Sequence, residues 1–257
     1  MSEEMVLVEK KGAILTLTMN RPQVFNALNL EMVSALLSAF GQAAEDDSIR
    51  VVILTGAGPS FCSGADMNLL SAEFPAARWL DGMRNGGRLI RLMREMPQVL
   101  VAGLKGAAIG GGFNLALACD FVVAEDQARL RQNFVHLGLV LDLAGTYFLP
   151  RLVGLAKARE LALLGEEISG RTAASLGLIY KSVPEAELER EVNELAAKLS
   201  VKPLQALAMI KEGLEGSLDM TLKEVLERES AYQALMLQSP YLKETAQRFI
   251  QSRQGKK

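Results

Sequence analysis

Two glycine-bearing segments, each following a run typical of a buried strand, constrain the fold of this chain most strongly. Residues 50–56 (RVVILTG) precede the first segment, residues 61–67 (FCSGADM). Residues 99–104 (VLVAGL) lead into the second segment, residues 106–112 (GAAIGGG). Apolar, β-branched runs of this kind indicate buried parallel strands, which are joined by helical crossovers. The order of strands and helices therefore predicts an α/β core with both glycine segments at strand ends.

Both segments suit a close approach of the main chain to a ligand. Glycine tolerates positive φ and brings bare amide N–H groups near a bound molecule. Two such turns hold one oxyanion between them when their N–H groups converge. We interpret the two segments as the halves of one anion-stabilising site.

A nucleotide site is the first alternative for three consecutive glycines before a helix. The dinucleotide fingerprint spreads its glycines as Gly-x-Gly-x-x-Gly, which the run at residues 110–112 does not match. A Walker A loop ends in Gly-Lys-Ser or Gly-Lys-Thr, whereas Phe113 and Asn114 follow this run. Both nucleotide-binding motifs are therefore disfavoured.

Composition narrows the classes of partner. The chain has 257 residues and a formal net charge of -2, which disfavours a nucleic-acid surface. Its two cysteines, Cys62 and Cys119, form neither a C-x-x-C pair nor a zinc-ligand pattern, so we expect a reducing compartment and no metal. The acidic residues 1–4 do not resemble a targeting peptide, and no apolar stretch is long enough to span a membrane. We expect a cytoplasmic protein that binds neither nucleic acid nor membrane.

Hydrophobic periodicity predicts a hairpin at the start and a helical C-terminal third. Residues 5–9 and 13–18 read as two paired strands, and Asn29 is the expected N-cap of an amphipathic helix over residues 30–44. A further helix is predicted over residues 77–95 and a strand over residues 121–124. Beyond about residue 155 only residues 178–183 read as a strand. The predicted helices there cover residues 155–164, 169–177, 186–199, 203–214, 222–238 and 242–251.

Together these segments resemble the crotonase family, the enoyl-CoA hydratases and isomerases. The segments that carry the resemblance are residues 61–67, 106–112, 118–120 (ACD), 137–139 (LGL), 145–146 (GT) and 149–154 (LPRLVG). The resemblance implies an α/β fold built as a spiral of ββα units, with a core domain over residues 1–195 and a C-terminal helical oligomerisation region over residues 196–257. It also implies a homotrimer or homohexamer acting on acyl-CoA thioesters, with coenzyme A as part of the substrate and no separate cofactor.

The resemblance also implies site residues. The backbone N–H groups of Ala65 and Gly111 would form the oxyanion hole for the thioester carbonyl. Removing one such donor costs roughly 3 kcal/mol in other enzymes. The residues expected to bind substrate are Val24, Phe25, Ser63, Ala65, Asp66, Met67, Gly111 and Asn114. For Asn114, a buried polar role with its amide bonded to the backbone is an equal alternative.

Two positions depart from the hydratases that this chain resembles. Those enzymes place one glutamate two residues after the three glycines and another before the Leu137-Gly138 pair, and the two carboxylates activate a water. Asn114 and Phe134 occupy these positions here. Neither an amide nor a phenyl ring acts as a base near neutral pH, so ordinary hydration by two carboxylates is not expected.

Asp142 is the candidate acid–base residue, because it lies among aliphatic residues in the segment 139–144 (LVLDLA). Burial there would raise its pKa toward a range useful for proton transfer. In some isomerases and in the dehalogenase of the family it resembles, an aspartate near this position acts on the substrate as base or as nucleophile. We favour a proton shuttle, and the alternative is that Asp142 caps a helix beginning near Ala144.

Three functions follow from these residues. The leading one is an enoyl-CoA double-bond isomerase with Asp142 as the proton shuttle. The alternatives are an enoyl-CoA hydratase in which Asp142 alone activates water, and a catalytically silent protein that binds acyl-CoA. His136 and Cys62 are expected to be structural, since no catalytic partner lies near either in the sequence.

Overall fold

The computed structural model of the chain describes residues 4–254, so the first three and last three residues lie outside the description. The chain divides into two compact units, one ending at Val201 and one beginning at Lys202. The strands of the first unit are β1 (Val6–Lys11), β2 (Ile14–Met19), β3 (Val51–Gly56), β4 (Val99–Leu104), β5 (Ala107–Ile109), β6 (Phe121–Glu125), β7 (Arg129–Arg131), β8 (Glu167–Ser169) and β9 (Lys181–Val183). Its helices are α1 (Leu30–Glu45), α2 (Met67–Leu70), α3 (Ala76–Glu95), α4 (Gly111–Leu117), α5 (Gly145–Leu164), α6 (Gly170–Ser175) and α7 (Leu188–Ser200).

The larger sheet has the strand order β1-β2-β3-β4-β6-β9. The β1–β2 hairpin is antiparallel and the later pairings are parallel. Val51 and Ile53 of β3 pack in one core cluster with Val192 of α7, whereas Val52 and Leu54 belong to a second cluster that contains Leu36 of α1. Because both faces of β3 are covered, its sequence is a continuous apolar run rather than an alternating one.

The sequence predicts most of this sheet and its helices correctly. The hairpin is present, and β3, β4, β6 and α3 lie at or within one residue of their predicted bounds. Asn29 caps α1 as predicted, since its side chain accepts a hydrogen bond of 2.8 Å from the Met32 N–H. Local signals suffice here because each element carries its own periodicity and cap.

The sequence pattern does not predict the smaller sheet, which has the strand order β5-β7-β8. Each of its strands has three residues, too few to show a period of two. The sheet matters for the site, because β5 lies inside the second glycine segment. It is also continuous with the turn that follows, where the Gly110 N–H donates to Arg131 O at 2.7 Å.

The prediction of a helix over residues 155–164 was wrong at its start. α5 begins at Gly145 and includes Pro150. Gly154 has φ 72° and ψ 162°, so the helical geometry is interrupted at that residue and then resumes. Pro150 and Gly154 read as helix breakers in the sequence, which is why periodicity predicts a helix only from residue 155. The capping alternative for Asp142, with a helix beginning near Ala144, had the start of α5 nearly right.

The second unit consists of α8 (Leu204–Gly216), α9 (Leu222–Met236) and α10 (Pro240–Gln254), in agreement with the predicted helical pattern. α9 begins at a capping box in which Thr221 and Glu224 each accept a hydrogen bond from the other's backbone N–H. The oligomerisation role of this region stays a prediction. Among residues 4–254, the helices are either too short or too polar to cross a bilayer.

Candidate active site

The two glycine segments lie side by side. Cys62 forms a parallel bridge with Ala108 of β5, in which the Cys62 N–H donates to Ala107 O at 2.9 Å and Cys62 O accepts from the Ile109 N–H at 3.0 Å. Gly112 of α4 approaches the same cysteine so closely that a β-carbon on it would lie 2.6 Å from Cys62 O and from Cys62 Sγ. Glycine at this position therefore lets α4 pack against the first segment.

Gly64 brings the first segment against the start of α4. Its φ of +89° lies in a region that favours glycine. A β-carbon on Gly64 would lie 2.8 Å from Ile109 O and 3.9 Å from Gly111 N. The following residue, Ala65, forms a bridge with Leu28. The Gly64–Ala65 turn is therefore a spatial neighbour of Gly111.

The main-chain N–H groups of Ala65 and Gly111 have no acceptor within the part of the chain that the structure describes. The amides around Ala65 do have acceptors: the Ser63 N–H donates to Phe25 O at 2.9 Å and the Asp66 N–H donates to Leu28 O at 2.9 Å. Gly111 is buried, where amides are normally paired, whereas Ala65 is exposed. One buried and one exposed amide without an acceptor therefore lie side by side, an arrangement that fits donors open to a ligand.

The Asp142 carboxylate faces Gly111. A β-carbon on Gly111 would lie 3.4 Å from Asp142 Oδ1, 3.3 Å from Leu143 Cδ1 and 3.5 Å from Leu28 Cδ1. Asp142 Oδ1 is buried and has no hydrogen-bond partner among residues 4–254. Burial raises the pKa of Asp142 from 3.8 to about 6, an effect that its own backbone N–H partly offsets. An acid–base group with a pKa near neutrality thus lies beside an unpaired amide.

Asp142 does not cap α5, so that alternative was wrong. The residue before α5 is Ala144, and no side chain caps the helix. Leu143 and Ala144 have φ values of 43° and 63°, two consecutive left-handed residues. This turn leaves the Asp142 main-chain carbonyl to accept from the Gly145 N–H at 2.9 Å, while the carboxylate lies by Gly111.

Asn114 and Phe134 both lie close to the turn of Gly110 and Gly111 and to Asp142, and neither supplies a carboxylate. Asn114 is fully buried; its Nδ2 donates to Asp142 O at 2.9 Å and its Oδ1 accepts from Gln132 Nε2 at 2.8 Å. Asn114 is therefore bonded to the backbone, as one of its two sequence interpretations expected. The Phe134 ring is buried and lies 3.6 Å from the position of a β-carbon on Gly110.

Sequence reasoning missed Arg21, which pairs with Asp66. Arg21 Nη2 lies 2.9 Å from Asp66 Oδ2, and both side chains are largely buried. Arg21 Nη1 also donates to Ala27 O at 2.8 Å, and Asp66 Oδ1 accepts from the Asn68 N–H at 3.0 Å as the cap of α2. The pair ties the loop of residues 21–27 to the residue after Ala65. No local pattern could reveal it, because its members are distant in sequence.

The remaining predicted substrate-binding residues cluster at the same loop. Ser63 Oγ donates to Val24 O at 3.3 Å, and the Ser63 amide bonds to Phe25 O. The side chains of Phe25 and Met67 are 51% and 63% exposed. An apolar surface next to Ala65 is thus open to a ligand.

His136 and Cys62 have structural surroundings, as predicted. His136 Nε2 lies 3.1 Å from Gly165 O. Cys62 is fully buried, and burial raises the pKa of its thiol to about 12. Its Sγ lies 3.1 Å from Asn26 O. A thiol that stays protonated at neutral pH is a poor nucleophile.

The model of the enoyl-CoA hydratase/isomerase family matches residues 9–256. The chain belongs to this family. The resemblance drawn from the sequence is thereby confirmed, and members of the enoyl-CoA hydratase/isomerase family act on acyl-CoA thioesters. The family assignment also makes this chain an enzyme of the lyase or isomerase class.

Relatives in the enoyl-CoA hydratase/isomerase family include both isomerases and hydratases. The chain is 35% identical to a 1,2-epoxyphenylacetyl-CoA isomerase from Escherichia coli strain K12, over 97% of each chain. It is 31% identical to a short-chain-enoyl-CoA hydratase from Clostridium acetobutylicum, over 88% of this chain and 86% of the relative. A solved enoyl-CoA hydratase from Mycobacterium smegmatis superimposes with a TM-score of 0.93 at 30% identity, over 97% of each chain. The predicted crotonase fold is confirmed.

Proposed function

We propose that this enzyme is an acyl-CoA double-bond isomerase in which Asp142 removes a proton from one carbon of the acyl group and returns it to another. The observation that carries the proposal is the buried Asp142 carboxylate beside Gly111, whose N–H has no acceptor in the described chain. A thioester oxygen bound to the amides of Ala65 and Gly111 would bring its acidic carbon near this carboxylate.

The proposed reaction uses one base and one oxyanion hole. Asp142 takes a proton from the carbon between the thioester and the double bond, and the electron pair moves onto the thioester oxygen as a dienolate. The two amides stabilise this negative charge, which is greatest in the transition state and intermediate. The protonated Asp142 then donates the same proton to the far carbon of the dienolate. A pKa near 6 suits both directions of transfer.

The surroundings of Asp142 favour isomerisation over hydration. Leu28, Leu143 and Asp142 surround the same point beside Gly111, and Asn114 and Phe134 occupy the positions at which the resemblance implies glutamates in hydratases. A second carboxylate to orient water is therefore missing from those positions. The likeness to the Escherichia coli 1,2-epoxyphenylacetyl-CoA isomerase supports the same choice and suggests an aromatic acyl-CoA epoxide as a test substrate.

Hydration by Asp142 alone is the second candidate function, and the hydratases among the relatives favour it. Mass spectrometry and NMR of products from 2-enoyl-CoA, 3-enoyl-CoA and 1,2-epoxyphenylacetyl-CoA separate the candidates. Isomerisation leaves the mass unchanged and moves the double bond or opens the epoxide, whereas hydration adds one water. If no product forms and the acyl α-hydrogen does not exchange with deuterium oxide, the protein is a silent acyl-CoA-binding member.

The isomerase rate should depend on pH through Asp142. Because the base must be ionised, kcat/KM is expected to be constant above about pH 7 and to fall about tenfold per pH unit well below pH 6. Initial rates across pH 4.5 to 8, with enzyme stability checked at each pH, would measure this fall of kcat/KM at acidic pH. A rate that stays constant to pH 5 would contradict the assignment of Asp142 as base.

We further propose a cytoplasmic homotrimer or homohexamer. The proposal is supported by the family and by the helical second unit, α8 to α10. Light scattering coupled to size-exclusion chromatography gives the mass of the assembly.

A further inference from the structure

We propose that Asn114 is a positioning residue, which holds Asp142 by its main-chain carbonyl at a set place beside Gly111, and that Gln132 supports the Asn114 amide in the orientation that donates to this carbonyl. This inference rests on the proposed function, because it assigns a role relative to the Asp142 base. It gives Asn114 a use other than contact with the substrate.

The first step is the bond between α4 and the base. Asn114 lies in α4, whose seven residues are all buried and which begins at Gly111. Asn114 Nδ2 donates to Asp142 O at 2.9 Å, and the same oxygen accepts from the Gly145 N–H at 2.9 Å. The short helix that presents the Gly111 amide therefore also holds the main chain of the base.

The second step is the polarity of the Asn114 amide. Gln132 is 2% exposed, and its Nε2 donates to Asn114 Oδ1 at 2.8 Å. Turning the Asn114 amide over would place oxygen against the Asp142 carbonyl and nitrogen against the Gln132 nitrogen. The Asp142 carbonyl can only accept, so it selects the donor end of Asn114, and the bond from Gln132 holds the Asn114 amide in that orientation. Gln132 directly follows Arg131, whose carbonyl accepts from the Gly110 N–H, so the Gln132 end of this chain of hydrogen bonds is tied to the residue before Gly111.

The third step is the turn that Asn114 supports. Leu143 and Ala144 adopt left-handed conformations that side chains rarely favour, so surrounding contacts must hold them. A β-carbon on Gly145 would lie 2.5 Å from Asn114 Nδ2, which shows that the turn rests directly on the amide. Leu143 packs in turn against Gly86 of α3, where a β-carbon would lie 2.7 Å from Leu143 Cδ2. Loss of the Asn114 donor would let the turn relax and move the carboxylate away from Gly111.

The test compares Asn114→Leu, Gln132→Met and the double variant in the isomerase assay. We expect Asn114→Leu to lower kcat about 10- to 100-fold with KM within about twofold of wild type, since misplacement by about 1 Å affects the reaction step rather than binding. Gln132→Met should lower kcat about 10-fold in the wild-type background. It should lower kcat less than about twofold when added to Asn114→Leu, because Gln132 acts through Asn114.

Gln98→Met is the matched control. Gln98 is also fully buried and donates to a main-chain oxygen, Ala43 O at 2.8 Å, but it precedes β4 and therefore lies at the opposite end of that strand from the glycine segment. Its loss should lower the melting temperature and leave kcat unchanged. If Asn114→Leu does not fold, the kcat of Gln132→Met is compared with that of Gln98→Met, and only Gln132→Met should have a lowered kcat.

Three results would overturn the inference. The first is a wild-type kcat in both Asn114→Leu and Gln132→Met, and the second is a rise in KM with kcat unchanged. The third is a Gln132→Met effect on kcat that is equally large in wild type and in Asn114→Leu. These failures differ from failure of the proposed function, which an active Asp142→Asn enzyme would reveal. If Asp142→Asn is inactive while Asn114→Leu is fully active, Asp142 stays the base and only the positioning role of Asn114 falls.

Discussion

Replacing Asp142 by asparagine is expected to lower kcat for isomerisation about 10³-fold. The amide has nearly the same shape as the carboxyl group but neither takes up nor returns a proton at neutral pH. Binding of the acyl-CoA should change little, because the oxyanion amides and the loop of residues 21–27 are untouched. Product analysis on the substrate that the wild-type enzyme isomerises measures the loss, and an active asparagine variant would rule out the proton shuttle.

The same variant should carry a signature in folding stability that does not depend on any substrate. The pKa of Asp142 rises from 3.8 to about 6 on folding, so the folded state binds this proton more tightly than the unfolded state does. The contribution of Asp142 to stability is therefore greatest below pH 4 and is lost as the pH rises through 6. The free energy of unfolding of Asp142→Asn, relative to wild type, should increase by about 2 kcal/mol from pH 4 to pH 7.

Asp126→Asn provides the control of opposite sign. The hydrogen bond from Arg171 lowers the pKa of Asp126, so this carboxylate stabilises the fold above its unfolded pKa and loses that effect as the pH falls. Asp126→Asn should therefore become less stable, relative to wild type, as the pH rises. Urea unfolding of both variants at pH 4 and pH 7 makes the comparison. A pH-independent difference for Asp142→Asn would show that its carboxyl group is not buried in the folded protein.

Gly111→Val is expected to reduce turnover at least 10²- to 10³-fold while the protein stays folded. The β-carbon would lie 3.3 Å from Leu143 Cδ1 and 3.4 Å from Asp142 Oδ1, and the two added methyl groups would enter the space between the amide and the base. The thioester oxygen could then no longer reach the Gly111 N–H. Steady-state kinetics, with circular dichroism as the check on folding, measures the effect.

Gly112→Ala separates loss of the oxyanion donor from loss of packing. A β-carbon at residue 112 would lie 2.6 Å from Cys62 O and Sγ, so this change overfills the contact between the two glycine segments. We expect it to destabilise the protein by about 1–3 kcal/mol. Gly111→Val should instead lose turnover far out of proportion to any fall in its melting temperature. If Gly111→Val keeps wild-type turnover, Gly111 is not an oxyanion donor.

Much of the fold follows from short-range pattern in the chain. The runs that form β3 and β4 are almost entirely apolar because both faces of each strand are covered, and Asn29 marks the start of α1. The three-residue strands β5, β7 and β8 carry no such pattern. They form because β5 pairs with β7 and β7 with β8, strands that are brought together from different parts of the chain.

The candidate site likewise has parts that the sequence predicts and parts that only the structure shows. The glycine segments, the amide of Asn114, the phenyl ring of Phe134 and an aspartate among aliphatic residues are chemical facts of the sequence. The ion pair of Arg21 with Asp66 joins residues far apart in the chain, so it had no local signal. The bond of Asn114 to the Asp142 carbonyl is hidden for the same reason.

The order of residues alone determined which groups are available: main-chain amides in two glycine segments, one carboxyl group in an apolar segment, and no basic side chain at residues 114 and 134. The tertiary structure alone decided that the Asp142 carboxylate faces Gly111 and does not cap α5. The physical reason is the turn at Leu143 and Ala144. Its left-handed backbone angles are unfavourable in isolation and persist only because α3, α4 and Gly145 pack around them. Where a side chain points in such a turn is decided by those distant contacts.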